Sequence, residues 1–174
     1  MRNFKTIVLT VTLLASFSVA TRAETPEEWI TLARRVHGGF GSYLSLGIRI
    51  GLDATEQLKA KPRELDVTYY DGPSTPCPCV ADGLMLATGA TPGQGSLRVA
   101  PTKSGKGTFG VAIIRNKRTG HTLRYTIPAT ARASLDWWNK NRDERGRFDE
   151  VMKAPEAKMF QRQAVSTAPT RKAT

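Results

Sequence analysis

Apolar residues at Trp29, Leu32, Ala33 and Val36 recur at helical spacing and predict a first helix with one buried face. Thr25 as N-cap, Pro26 at the first helical position and Glu28 completing a capping box mark its start, and His37-Gly38-Gly39 stops it. A glycine-rich corner, His37 to Ser42, leads into a second helix with Ser42 as its cap. Leu44, Ile48, Leu52 and Thr55 give that helix one face, and it ends near Lys61-Pro62. Gly47 and Gly51, four residues apart, weaken the helix but permit close packing.

The pattern then changes to strands. Leu65 to Tyr70 reads as the first, followed by a turn-rich loop from Asp71 to Pro76. That loop delivers Cys77-Pro78-Cys79 to a third helix, Val80 to Ala87, which Gly89 terminates. A glycine loop, Thr91 to Gly95, precedes strands at Ser96–Ala100, Thr108–Arg115 and Thr122–Ile127. The last two are joined as a hairpin through Asn116–His121. Thr130 to Arg145 reads as one helix carrying Leu135 and Trp138, and Pro128 separates it from the sheet. A short helix after Pro155 and a strand from Met159 to Val165 complete the pattern. The order predicts an α+β fold, helices packed on a mixed, largely antiparallel sheet, rather than a regular βαβ alternation.

The N-terminus has a different character. Arg2 and Lys5 precede the apolar run Ile7 to Ala20, and Thr21-Arg22-Ala23 then meets the acidic Glu24 to Glu28. A basic start, a short apolar run and small residues before a polar segment make a secretory signal, residues 1–23, cleaved after Ala23 with Ala20 the alternative. The run is shorter than the ~20 apolar residues of a membrane span, so an uncleaved anchor is the weaker reading. Residues 24–166 are then one domain, 167–174 a disordered tail, and the location periplasmic or secreted. No membrane association is expected after cleavage.

The leader carries three basic residues (Arg2, Lys5, Arg22) and no acid, so the formal charge of +11 falls to about +8 without it. That suits solubility or an acidic partner. Nucleic acid is excluded as the expected partner, because the basic residues are scattered and no aromatic stacking set accompanies them. Two cysteines make no disulfide framework. Gly93-Gln94-Gly95 lacks the lysine of a phosphate loop and opens no helix, so it reads as a turn into a strand.

The candidate chemistry lies at His37, Cys77, Cys79 and Asp82. Two thiolates, an imidazole and a carboxylate (or water) suit tetrahedral zinc, and thiolates also suit copper(I) or another transition metal. Other readings stay open. The cysteines are a local disulfide at the edge of the allowed Cα separation, a redox pair, or half-buried thiols. His37 offsets the dipole at a helix C-terminus and Asp82 satisfies amides at a helix start. His121 is an ordinary turn residue.

Three segments together resemble a known family: the helix ending in His37-Gly38 before a small-residue helix, Cys79-Val80-Ala81-Asp82-Gly83, and Thr88-Gly89-Ala90-Thr91-Pro92-Gly93-Gln94-Gly95-Ser96-Leu97. They are similar to the FmdE domain family, associated with formylmethanofuran dehydrogenase, with its HGHxCPG corner, Cys-x-x-Asp-Ala helix start and Gly-Cys-Thr-x-Gly-Lys-Gly-Asn-Leu loop. Ser104-Gly105-Lys106 and Ala154 to Phe160 extend the likeness, which runs from about Glu28 to Val165. The resemblance implies helices on one side of a mixed sheet and a metal site, with zinc the usual ion. It also implies departures. The second His of the family corner is Gly39 here, its Cys is Gly41 and its Pro is Ser42. In the loop, its Cys is Ala90, its Lys is Gln94 and its Asn is Ser96. His37, Cys79 and Asp82 remain, and Cys77 is added. Three functions are therefore carried forward: an accessory module holding or delivering a metal ion or metal-containing cofactor; a small thiol- or metal-dependent enzyme; and a degenerate member binding a protein partner, with a homodimer one form of association.

Overall fold

The computed structural model describes residues 24–165, so the leader and the tail expected from the sequence lie outside the described residues. Helix α1 (Pro26–His37) begins with the expected capping box, in which Thr25 and Glu28 satisfy each other's backbone amides. It ends at Gly38, whose φ of 84° is a left-handed cap that suits glycine. Its buried residues are Trp29, Ile30 and Ala33, whereas Leu32 and Val36 are exposed. The buried stripe therefore lies one residue round from the face read in the sequence.

Helix α2 (Ser42–Gln57) is the centre of the molecule. Ten of its sixteen residues are buried, from Ser42 through Ile48 and at Ile50, Gly51 and Ala54. Leu52, expected in its single apolar face, is exposed. The helix is packed on several sides, and periodicity alone under-reads such a helix. Its N-cap is Gly41, not Ser42, and it stops at Gln57, earlier than Lys61. Glycine offers no capping side chain, and Asn139 supplies one from elsewhere: its Oδ1 accepts from the Ser42 amide at 2.7 Å. The Ser42 hydroxyl donates to the Leu135 carbonyl at 2.7 Å.

The sheet contains β1 (Leu65–Asp71), β2 (Leu97–Val99), β3 (Thr108–Asn116), β4 (Thr122–Pro128) and β5 (Gln161–Val165), in the order β2-β1-β3-β4-β5. The β1–β2 pair is parallel and the other three pairs are antiparallel, as expected for a mixed, largely antiparallel sheet. Strand β1 alternates strictly, burying Leu65, Val67, Tyr69 and Asp71. A register shift between Thr108 and Gly110 falls at Phe109, whose ring packs on Tyr43 of α2 with centroids 5.1 Å apart.

Helix α3 (Cys79–Thr88) closes against α2, and no pair of helices packs more extensively. The glycines explain how. A Cβ on Gly47 would sit 2.2 Å from the Val80 carbonyl oxygen, and one on Gly83 would sit 2.1 Å from that of Leu44. The backbones touch where side chains would normally stand.

The expected helix Thr130–Arg145 is two: α4 (Ala131–Asn141) and α5 (Glu144–Lys153). Asp143 breaks the run by capping α5, accepting from the Gly146 amide at 2.7 Å. After α6 (Glu156–Met159), β5 is fixed to α2 through Asp53, which accepts from Tyr125 at 2.6 Å and forms an ion pair with Arg162. Arg49, one turn earlier, donates to the Val151 and Ala154 carbonyls at the end of α5. Among the described residues, no helix is long and apolar enough to cross a membrane.

Candidate functional site

Two parts of the predicted site meet where α1 ends and α3 begins. His37 is the last residue of α1, and Asp82 lies in the first turn of α3. His37 Nδ1 and Asp82 Oδ2 are 2.6 Å apart, with side chains 30% and 38% exposed. Each also suits its own helix, an imidazole at a C-terminus and a carboxylate at an N-terminus. Cys79 opens α3 three residues before Asp82, and residues three apart share a helix face.

The cysteines are joined to each other. Cys77 and Cys79 form a disulfide with Cα atoms 5.3 Å apart, within the ordinary range rather than at its edge. Both are half-buried and pack against the main core, while Pro78 between them is exposed. The loop that carries them is fixed independently of the bond. The Gly72 amide donates to the Phe109 carbonyl at 2.8 Å and to Thr75 Oγ1 at 2.9 Å. The Thr75 hydroxyl donates onward to Phe109, and Arg132 donates to the Ser74 carbonyl at 2.6 Å.

A zinc ion needs thiolate, imidazole or carboxylate donors arranged together. In the disulfide form the residues present do not fit it. The sulfurs are bonded to each other, His37 and Asp82 are bonded to each other, and among the described residues no group of three or more His, Cys, Asp or Glu is placed to hold a metal.

The corner between α1 and α2 shows why the extra ligands implied by the resemblance have no counterpart. Arg147 donates to the Phe40 carbonyl at 2.9 Å and to the Asn139 carbonyl at 2.7 Å, so side chains from α4 and α5 hold this corner. A Cβ on Gly41 would stand 3.2 Å from Asn139 Oδ1, a tight contact with the amide that caps α2. Ala90 is fully buried in the core. Gly39 is different, because a Cβ there would meet nothing within 4 Å. No local sequence signal marks Asn139, and Arg147 reads in the sequence as one basic residue of a solvated, mixed-charge face. Their role depends on contacts about a hundred residues away in the chain, which local pattern does not carry.

The glycine loop is structural. Its Gln94, Gly95, Ser96 and Leu97 amides are donated within the loop, to Thr91 and Pro92, so it offers no cradle for a phosphate. His121 is exposed in its turn, as expected.

Residues 36–169 match the family model FmdE, described as molybdenum formylmethanofuran dehydrogenase operon. The match begins one residue before His37 and takes in every candidate site residue. No curated protein matches the chain. The chain belongs to the FmdE family.

Proposed function

We propose that this FmdE-family chain is an exported accessory module that holds or delivers a transition-metal ion through Cys77, Cys79, His37 and Asp82 when the cysteines are reduced. Zinc is the first candidate and copper(I) the alternative, since thiolates favour both. One observation carries the reading: the 2.6 Å contact between His37 and Asp82 brings the end of α1 to the helix face on which Cys79 stands. Reduction would free both thiols, and Cys79 shares with Asp82 the helix face that His37 meets. Export is supported by the leader pattern and by a disulfide, which persists in oxidising compartments.

The test is competition for zinc and for copper(I) against a chromogenic chelator. Reduced protein should take up one equivalent, while the disulfide form takes up none. His37→Ala should weaken the reduced site about 10- to 100-fold or more, the loss typical of removing a group that supports a metal site. Reduced protein that fails to compete with the chelator for either ion would defeat the reading.

A second reading is favoured by Asn139. Its amide caps α2 and stands close beside Gly41, so protein hydrogen bonds hold the corner, as suits a degenerate member that keeps the scaffold for a protein partner. On that reading Cys77→Ser and Cys79→Ser leave partner binding intact.

A further inference from the structure

We infer that the Cys77–Pro78–Cys79 disulfide is a two-electron thiol–disulfide exchange site for dithiols, in which Cys77 is the sulfur attacked and Cys79 the sulfur released. Three observations lead there. First, the bond links residues two apart and ties no separate elements together, so it adds little as a staple. Second, its loop is held by Gly72, Thr75 and Arg132 through hydrogen bonds that do not involve the sulfurs. Opening the bond leaves that loop in place. Third, both cysteines are half-buried rather than sealed in the core, and the neighbouring Pro76 and Pro78 are exposed.

The asymmetry comes from α3. Cys79 is its first residue, where the positive end of the helix dipole favours negative charge, whereas Cys77 lies outside the helix. Asp82 in the same turn would oppose that charge, but its carboxylate is engaged by His37.

One sulfur of the dithiol, as thiolate, bonds to Cys77 Sγ, the Cys77–Cys79 bond breaks, and its electron pair leaves on Cys79 Sγ. The second sulfur of the reductant then attacks its own sulfur in the mixed disulfide and releases Cys77. The reductant ends as a cyclic disulfide, and two electrons and two protons have passed to the protein.

The exchange stands apart from the metal reading, so its test is run with chelator present. The purified protein is equilibrated in a series of dithiothreitol and glutathione redox buffers, and its free thiols are counted by mass after maleimide trapping. The expected result is a reversible change between no free thiols and two, with an unchanged far-ultraviolet circular dichroism spectrum. Brief exposure to glutathione, a monothiol that cannot complete the second step internally, should leave its adduct on Cys77 in severalfold excess over Cys79. Cys77→Ser/Cys79→Ser, which should fold like the parent, fixes the zero-thiol baseline. A bond that yields only after unfolding in urea, or whose reduction unfolds the protein, would overturn the inference. An adduct found mainly on Cys79 would overturn the assignment of the two sulfurs. Reversible exchange without metal uptake by the reduced protein would uphold this site while rejecting the metal reading.

Discussion

Replacing Gly83 with alanine sets two effects of opposite sign against each other. Gly83 lies inside α3, where exchange of glycine for alanine ordinarily favours the helix by about 1 kcal/mol. Its missing side chain, however, is where α3 meets α2: a Cβ would stand 2.1 Å from the Leu44 carbonyl oxygen and 2.8 Å from Gly47 Cα. Ordinary contact between such atoms is about 3.5 Å, so the helices would have to separate by about 1 Å or more. Both obstacles are backbone atoms, which cannot rotate aside. Overpacking of this kind costs about 1–3 kcal/mol, and rigid neighbours place this site at the upper end. We expect Gly83→Ala to destabilise by about 2 kcal/mol net, lowering the melting temperature by about 4–8 °C in a domain of this size. Gly93→Ala is the control, because nothing lies within 4 Å of its Cβ position. Urea denaturation followed by circular dichroism gives the midpoint and the slope. A Gly83→Ala protein as stable as the parent, or more so, would refute the close α2–α3 approach that brings Asp82 to His37.

Asp53→Ala should cost about 1–3 kcal/mol by leaving the Tyr125 hydroxyl and Arg162 without their acceptor, and hydrogen exchange should show β5 losing protection first. Burial, and then the hydrogen bond to Asp136, push the Tyr43 phenol from 10.0 up to about 12. Because the folded protein holds that proton more tightly, this stabilisation is complete below pH 10 and is lost as pH rises through 12. Absorbance at 295 nm should therefore show a tyrosine ionising near pH 12 that Tyr43→Phe removes, and ionisation of every tyrosine near pH 10 in folded protein would contradict this. Gly39→His should restore one family ligand without strain, since a Cβ there meets nothing within 4 Å, and should raise the zinc affinity of the reduced protein; unchanged affinity would place position 39 out of reach of the site. The Cys77→Ser/Cys79→Ser protein should lose no more than about 1.6 kcal/mol, the loop-entropy value for so short a closure, as measured by urea midpoint.

Much of the fold was legible because local signals agreed with one another. The Thr25–Glu28 box, the glycines after His37 and Thr88, and the strict alternation of β1 each have a local physical cause. Misreadings arose where tertiary contacts decide. Helix α2 is buried on several sides, so a one-face reading misplaced Leu52. The α4–α5 break depends on one Asp143 cap inside a run that otherwise reads as helical. The site was legible in part. His37 and Asp82, 45 residues apart in the chain, were named together and do meet. The roles of Asn139 and Arg147 were hidden, because they act on the corner from helices at the other end of the sequence.

On the proposed function, Cys77, Cys79, His37 and Asp82 form a metal site once the disulfide opens. Its most direct test is elemental analysis of protein purified without a histidine tag, reduced anaerobically, exposed to zinc or copper(I) and desalted, beside Cys77→Ser/Cys79→Ser treated identically. One metal ion per chain is expected in the parent and none in the variant. Metal-free protein in both cases, or equal metal in both, would contradict it.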